Sequence, residues 1–138
     1  MSQPFIYIGT YTLKPGRLES FKETCAGLAE FAELNEPRML AFNFYANEAG
    51  TEASCVQVHT EADSMVFHMQ LLREHITGAS EEEGDIDTVT SNQIYGTPNQ
   101  TVIDMIEEFD PGVPLLVKPN PIGGFTRITA DLASPQPS

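Results

Sequence analysis

The chain has 138 residues, a length that suits one domain able to bury most of the apolar surface of its unfolded form, so no disulfide or metal staple is required. Its 20 acidic and 7 basic residues give a formal net charge of -13, which repels nucleic-acid phosphates and anionic membrane surfaces alike. No apolar run approaches the roughly 20 residues that span a bilayer, and Met1-Ser2-Gln3-Pro4-Phe5 lacks the basic stretch and apolar core of a secretory signal, so a cytoplasmic protein is expected.

Phe5 to Thr12 alternates in the period of a strand, with Phe5, Tyr7 and Tyr11 on one side and Ile6, Ile8 and Thr10 on the other. Lys14-Pro15-Gly16 ends it, and Pro15 suits the first turn of a helix, where its missing N–H would have had no partner. Leu18, Phe21, Cys25, Leu28 and Ala32 then recur at helical spacing, and the helix should stop near Asn35-Glu36 because the residue before Pro37 is pushed out of the helical region. Arg38 to Ala46 and Glu52 to His59 read as a hairpin around Asn47-Glu48-Ala49-Gly50.

Thr60 or Asp63 can cap a second helix that carries Met65, Met69, Leu72 and Ile76. Thr77 to Asp85 is too acidic for core and reads as a solvated loop, followed by a fourth strand from Ile86 to Tyr95. Thr97 is offered as the cap and Pro98 as the first position of a third helix bearing Val102, Ile103, Ile106 and Phe109, which Asp110-Pro111-Gly112 terminates. Val113 to Lys118 is extended, and Ile122 to Ile128 reads as a last edge strand or a segment lying across a neighbouring surface. The boundaries are a single domain over 1–128, with a core of 5–95 and an extension of 97–128, and a disordered tail over 129–138.

This order is the βαββαβ arrangement of ferredoxin-like α+β folds with an appended helix and strand. Both helices of that unit pack on one face of the sheet, and the other face should then be polar in a monomer. It is not: whichever side of the second strand meets the helices, the opposite one shows either Leu40, Phe42 and Phe44 or Met39, Ala41 and Tyr45. Covering such a row is worth roughly 25 cal/mol per Å², which predicts a face-to-face homodimer in preference to a monomer covered by its own C-terminal segment.

The stretch Ile8-Gly9-Thr10-Tyr11-Thr12-Leu13-Lys14-Pro15-Gly16, the Asn35-Glu36-Pro37 step, and Val58-His59 followed by Ser64-Met65-Val66-Phe67-His68-Met69 resemble the antibiotic biosynthesis monooxygenase superfamily over about residues 5–95. That superfamily consists of dimeric α+β barrels and includes quinol monooxygenases and haem-degrading enzymes. The resemblance implies a ligand cleft between the sheet and the two helices of each subunit, with the opposite sheet faces forming the dimer barrel. The haem-degrading branch uses an Asn, a Trp and a His; here Gly9 takes the Asn position, His68 takes the Trp position and the chain has no Trp, so no haem or other cofactor is expected.

The expected chemistry is cofactor-independent monooxygenation of a small aromatic or quinol-type substrate. The alternative is a non-catalytic dimeric module that binds a small apolar molecule. His68 is the first candidate for base or hydrogen-bonding group, since an imidazole titrates near neutrality, though it is as well suited to pack in the core. His75 lies seven residues on, near the same helical face, at what reads as a wet helix end. Asn43, Tyr7, Tyr45 and Tyr95 are candidate substrate contacts, with ordinary strand packing as the commoner role for such tyrosines. The spacing of His59, His68 and His75 does not suit a metal site, and none is expected. Cys25 and Cys55 fall on different elements and read as buried free thiols.

Overall fold

The structure is a computed structural model that describes residues 3–75 and 84–127. In chain order it comprises β1 (Phe5–Leu13), α1 (Leu18–Asn35), β2 (Met39–Ala46), β3 (Glu52–His59), α2 (Ala62–His75), β4 (Ile86–Tyr95), α3 (Gln100–Phe109) and β5 (Leu115–Lys118). The strands form one sheet in the order β2-β3-β1-β4-β5, antiparallel except where β5 joins β4 in parallel. This is the predicted α+β, ferredoxin-like βαββαβ unit with its appended helix and strand.

Strand parity decides which face meets the helices. On β1, Phe5, Gly9, Tyr11 and Leu13 are buried, and on β3 the same holds for Ala53, Cys55, Gln57 and His59. Phe42 and Phe44 stand opposite Gln57 and Cys55 in the register and pack under α1, so they belong to the helix side. Ala41, Asn43 and Tyr45 therefore take the other side. Leu40 falls out of line with Phe42 because the register slips between Met39 and Ala41, the effect of a bulge.

The core has two centres. Tyr11, Leu13, Phe21, Cys25, Ala53 and Cys55 pack beneath α1, whereas Phe5, Met65, Ile94, Val102 and Ile106 join α2 and α3 to the sheet. Burial of a side chain such as Met65, Ile94 or Val102 stabilises by about 1.5–3 kcal/mol. The described helices thus cover one face, and the half-buried Ile6, Ile8, Val56 and Val58 at the centre of the other have no helix over them.

Several local expectations are corrected. Pro15 and Gly16 form a turn ahead of α1, with Gly16 at φ 74, and α1 begins only at Leu18. Asn99, not Thr97, caps α3, its side chain accepting from the Val102 N–H at 2.9 Å. Thr60 Oγ1 is buried with no hydrogen-bond partner, and Asp63 lies inside the first turn of α2, so neither serves as the expected N-cap. Residues 122–127 form no strand, and Ile122 and Phe125 are exposed. Ile76, most of the acidic loop and the 129–138 tail lie outside the described residues. Among the described residues, no helix is long and apolar enough to cross a membrane.

Candidate functional site

Between the sheet and the helices lies an open pocket of about 290 Å³, lined mainly by apolar residues that include Leu28, Phe42, Phe44, Met65, Met69 and Leu72. Its polar lining comes from Tyr7, Tyr11, Gln57, His68, Arg73 and Asp110. A groove of about 310 Å³ runs between α1 and the edge strand β2, but Cys25 is the only buried group there that can titrate. The pocket between sheet and helices is therefore the candidate site: apolar walls with a few placed polar groups are what a small-molecule pocket requires.

One end of the site begins in α1. The clash between Pro37 and a helical preceding residue turns Glu36 out to φ -127, ψ 78, while its N–H still closes the helix on Ala32. That turn carries the Glu36 carboxylate inward, where Oε2 meets His68 Nδ1 at 2.6 Å with both side chains almost wholly buried. An ionised carboxylate only accepts, so His68 donates from Nδ1, and Nε2 offers a lone pair whenever the ring is neutral. Nε2 has no hydrogen-bond partner in the structure. The edge of the ring system at Phe42, 4.9 Å between centroids and 78° between planes, fixes how the imidazole lies.

A second polar link orients α2. His59 is wholly buried, with Nδ1 2.7 Å from Ser64 Oγ and Nε2 2.9 Å from Gln57 Oε1. Gln57 directs its Nε2 at Cys55 Sγ, 3.7 Å away, so its carbonyl accepts from His59 Nε2–H and Ser64 donates to Nδ1. Burial first, then the charges of His68 and Arg38, push His59 down to about 3, so it stays neutral. Ser64 and His68 are four residues apart, on one face of α2, and both are tied to groups outside the helix.

The opposite wall carries Tyr7, whose hydroxyl donates to Asn92 Oδ1 at 2.5 Å, while Asn92 Nδ2 donates to Asp110 Oδ2 at 3.0 Å. Burial first, then the charges of Cys55 and Asp110, raise the Tyr7 phenol far above its ordinary value. Gly9 makes this geometry possible: a Cβ there would stand 2.6 Å from the Tyr7 hydroxyl. Tyr11 packs its ring edge-on to Phe21 at 5.7 Å. At the rim, the Arg73 guanidinium lies 4.8 Å over the Phe109 ring.

Of the residues singled out in the sequence, His68 and Tyr7 line this cavity. His75 does not: it is exposed and stacks on Phe31, 3.9 Å between ring centroids. Asn43 and Tyr45 face away from it, on the exposed edge strand. Tyr95 lies on the uncovered side of the sheet, where its hydroxyl donates to Gln93 and Lys118 sits over its ring. Four members of the site escaped the sequence reading: Glu36, Gln57, Asn92 and Asp110. Only Glu36 carried a signal, an acid forced out of a helix end by the following proline. Among the described residues, no group of three or more His, Cys, Asp or Glu side chains is placed to hold a metal ion.

No protein-family profile matches this chain, and no curated protein sequence does so significantly. Solved structures do. MupZ of Pseudomonas fluorescens superposes with a TM-score of 0.65 at 18% identity, over 90% of this chain and 91% of its own. PA3566 of Pseudomonas aeruginosa gives 0.55 at 17% identity, over 68% and 93% respectively. A candidate antibiotic biosynthesis monooxygenase of Nitrosomonas europaea gives 0.54 at 15% identity, over 70% and 92%. At these identities the likeness is one of fold, and the fold is the one that the resemblance to antibiotic biosynthesis monooxygenases implies.

Proposed function

We propose that the protein is a cofactor-independent monooxygenase of a small aromatic or quinol-type substrate, with His68 as proton acceptor. The observation that carries this reading is a histidine among the residues lining an apolar pocket, whose Nδ1 is held by the buried Glu36 carboxylate and whose buried Nε2 has no hydrogen-bond partner. Carboxylate, imidazole and reacting proton in that order make an oriented general base. A phenol or anthrone that gives up a proton to Nε2 becomes electron-rich enough to reduce O₂ directly. For an anthrone, the oxygen adds at the ring methylene as a peroxide, one oxygen atom remains as the new carbonyl and the other leaves as water. The substrate supplies all the electrons, so neither haem nor another cofactor is invoked.

The pocket volume, just below the roughly 300–1,000 Å³ typical of ligand sites, suits a small aromatic molecule. The chain works as a homodimer in this reading, through the uncovered sheet face around Ile6, Ile8, Val56 and Val58. A reducing compartment such as the cytoplasm agrees with two buried, unpaired thiols. O₂ uptake is the test. A panel of anthrones, hydroquinones and polyphenols should include substrates that drive consumption above buffer, with His68→Ala abolishing turnover and Glu36→Gln lowering kcat. No consumption across the panel, or turnover indifferent to His68→Ala, overturns the proposal.

A further inference from the structure

The hydrogen bonds around Tyr7 fix the direction in which it can serve a ligand. Asp110, the C-cap of α3, presents a carboxylate, which accepts and does not donate. Asn92 must therefore turn its NH₂ toward Asp110 and its carbonyl toward Tyr7. The Tyr7 proton is committed to that carbonyl, and the phenol oxygen has only lone pairs left for the cavity it lines. The chain of donors ends on a negative charge, and each link polarises the next, which makes the Tyr7 oxygen a better acceptor than an isolated phenol.

We infer that Tyr7 is a specificity-determining residue that accepts a hydrogen bond from a ligand hydroxyl, with Asn92 and Asp110 as positioning residues that hold it in the accepting state. The inference rests on the reading of the cavity as the site for a phenol or quinol. It sharpens that reading, because the site then prefers the reduced, hydroxylated form of a ring system to its ether or its carbonyl counterpart. A quinone offers Tyr7 only another acceptor, which leaves two lone pairs facing each other without a proton. Product formed by oxidising a hydroxyl to a carbonyl would lose this contact and be released. His68 Nε2 is a second acceptor when its ring is neutral, while the Tyr11 hydroxyl can rotate into either role and does not set the preference. Asp110 follows α3, so the C-terminal extension helps to define the ligand site.

The test is equilibrium binding, which does not depend on turnover. 2-Naphthol and 2-methoxynaphthalene are stable, fluorescent and matched in ring size, and differ in the proton that Tyr7 would accept. The wild-type protein should bind the naphthol about tenfold more tightly, the order expected for one buried acceptor left unpaired. Tyr7→Phe should lower the ratio severalfold, to the preference that His68 alone supplies, while the circular dichroism spectrum stays that of the wild type. Asp110→Asn supplies an independent arm: an amide at that position can donate to Asn92, let it flip, and turn Tyr7 into a donor. Its ratio should fall to that of Tyr7→Phe or below, an outcome that a purely structural role for Asp110 does not produce. Equal binding of the two probes by the wild type, no binding of either, or a preference that both substitutions leave unchanged overturns the inference. A preference that behaves as expected in a protein that consumes no O₂ leaves the inference standing and removes the monooxygenase reading alone.

Discussion

Gly9→Ala is the substitution with the sharpest consequence. The new Cβ would sit 2.6 Å from the Tyr7 hydroxyl oxygen, 3.2 Å from its Cζ and 3.3 Å from Asn92 Oδ1, so it presses on both partners of one hydrogen bond. To reach ordinary contact the hydroxyl must withdraw from 2.6 Å to at least 3.4 Å, which stretches and weakens its 2.5 Å bond to Asn92. Overpacking of this kind costs about 1–3 kcal/mol and the weakened buried hydrogen bond about 1 kcal/mol. Against this stands a gain of about 0.5–1 kcal/mol from replacing glycine within a strand. A net loss of about 1–3.5 kcal/mol should lower Tm by roughly 2–14 °C. The clash is chiefly with one oxygen, so removing it should reverse the result. In a Tyr7→Phe background, Gly9→Ala should be neutral within about 0.5 kcal/mol or stabilising, a coupling of at least about 1 kcal/mol in a double-mutant cycle read by urea unfolding. If the two substitutions add, the contact between Gly9 and the Tyr7 hydroxyl is not what holds that side chain in place.

His59 supplies a pH dependence with a definite sign. Its folded-state pKa, pushed down to about 3, lies below the unfolded value near 6.5, so the unfolded chain binds a proton that the folded one refuses. The penalty is absent above pH ~6.5 and grows by about 1.4 kcal/mol per unit as pH falls toward 3. His59→Gln should cost stability at pH 7, and the gap to wild type should narrow by about 2 kcal/mol at pH 5; urea midpoints at the two pH values that shift in parallel would refute this. The uncovered sheet face predicts self-association: Val56→Lys should shift a dimer toward monomer in sedimentation velocity, and a wild type that sediments as a monomer at low micromolar concentration would remove the dimer.

The strand–helix order was legible because its apolar positions recur at clear periods: Phe5 to Leu13 alternates and Leu18 to Ala32 follows the helical repeat. What the period could not give was parity in β2, where both sides are apolar, and a register slip between Met39 and Ala41 separates Leu40 from Phe42 and Phe44. Asn43 and Tyr45 were drawn toward the cavity for the same reason, although their strand turns them outward. Tyr95 is a related case: its neighbour Ile94 takes the buried position and the tyrosine the open face. His68 was legible from its helical neighbours, but its partner lies 32 residues away, and only the tertiary fold joins them.

Asp110 shows how a sequence feature with an ordinary local role acquires a second one. Asp110-Pro111-Gly112 ends α3, and Gly112 at φ 80 helps reverse the chain toward β5. β5 then runs parallel to β4, beginning opposite Asn92, whose N–H also donates to Pro114 at 3.0 Å. The parallel pairing requires a crossover, α3 supplies it, and Val102 and Ile106 seat that helix on the covered face beside Met65 and Ile94. With both ends of the crossover tied to β4, its C-cap carboxylate falls within 3.0 Å of the Asn92 amide. The same pairing that widens the sheet by one strand therefore delivers the charge that orients Asn92, and through it Tyr7.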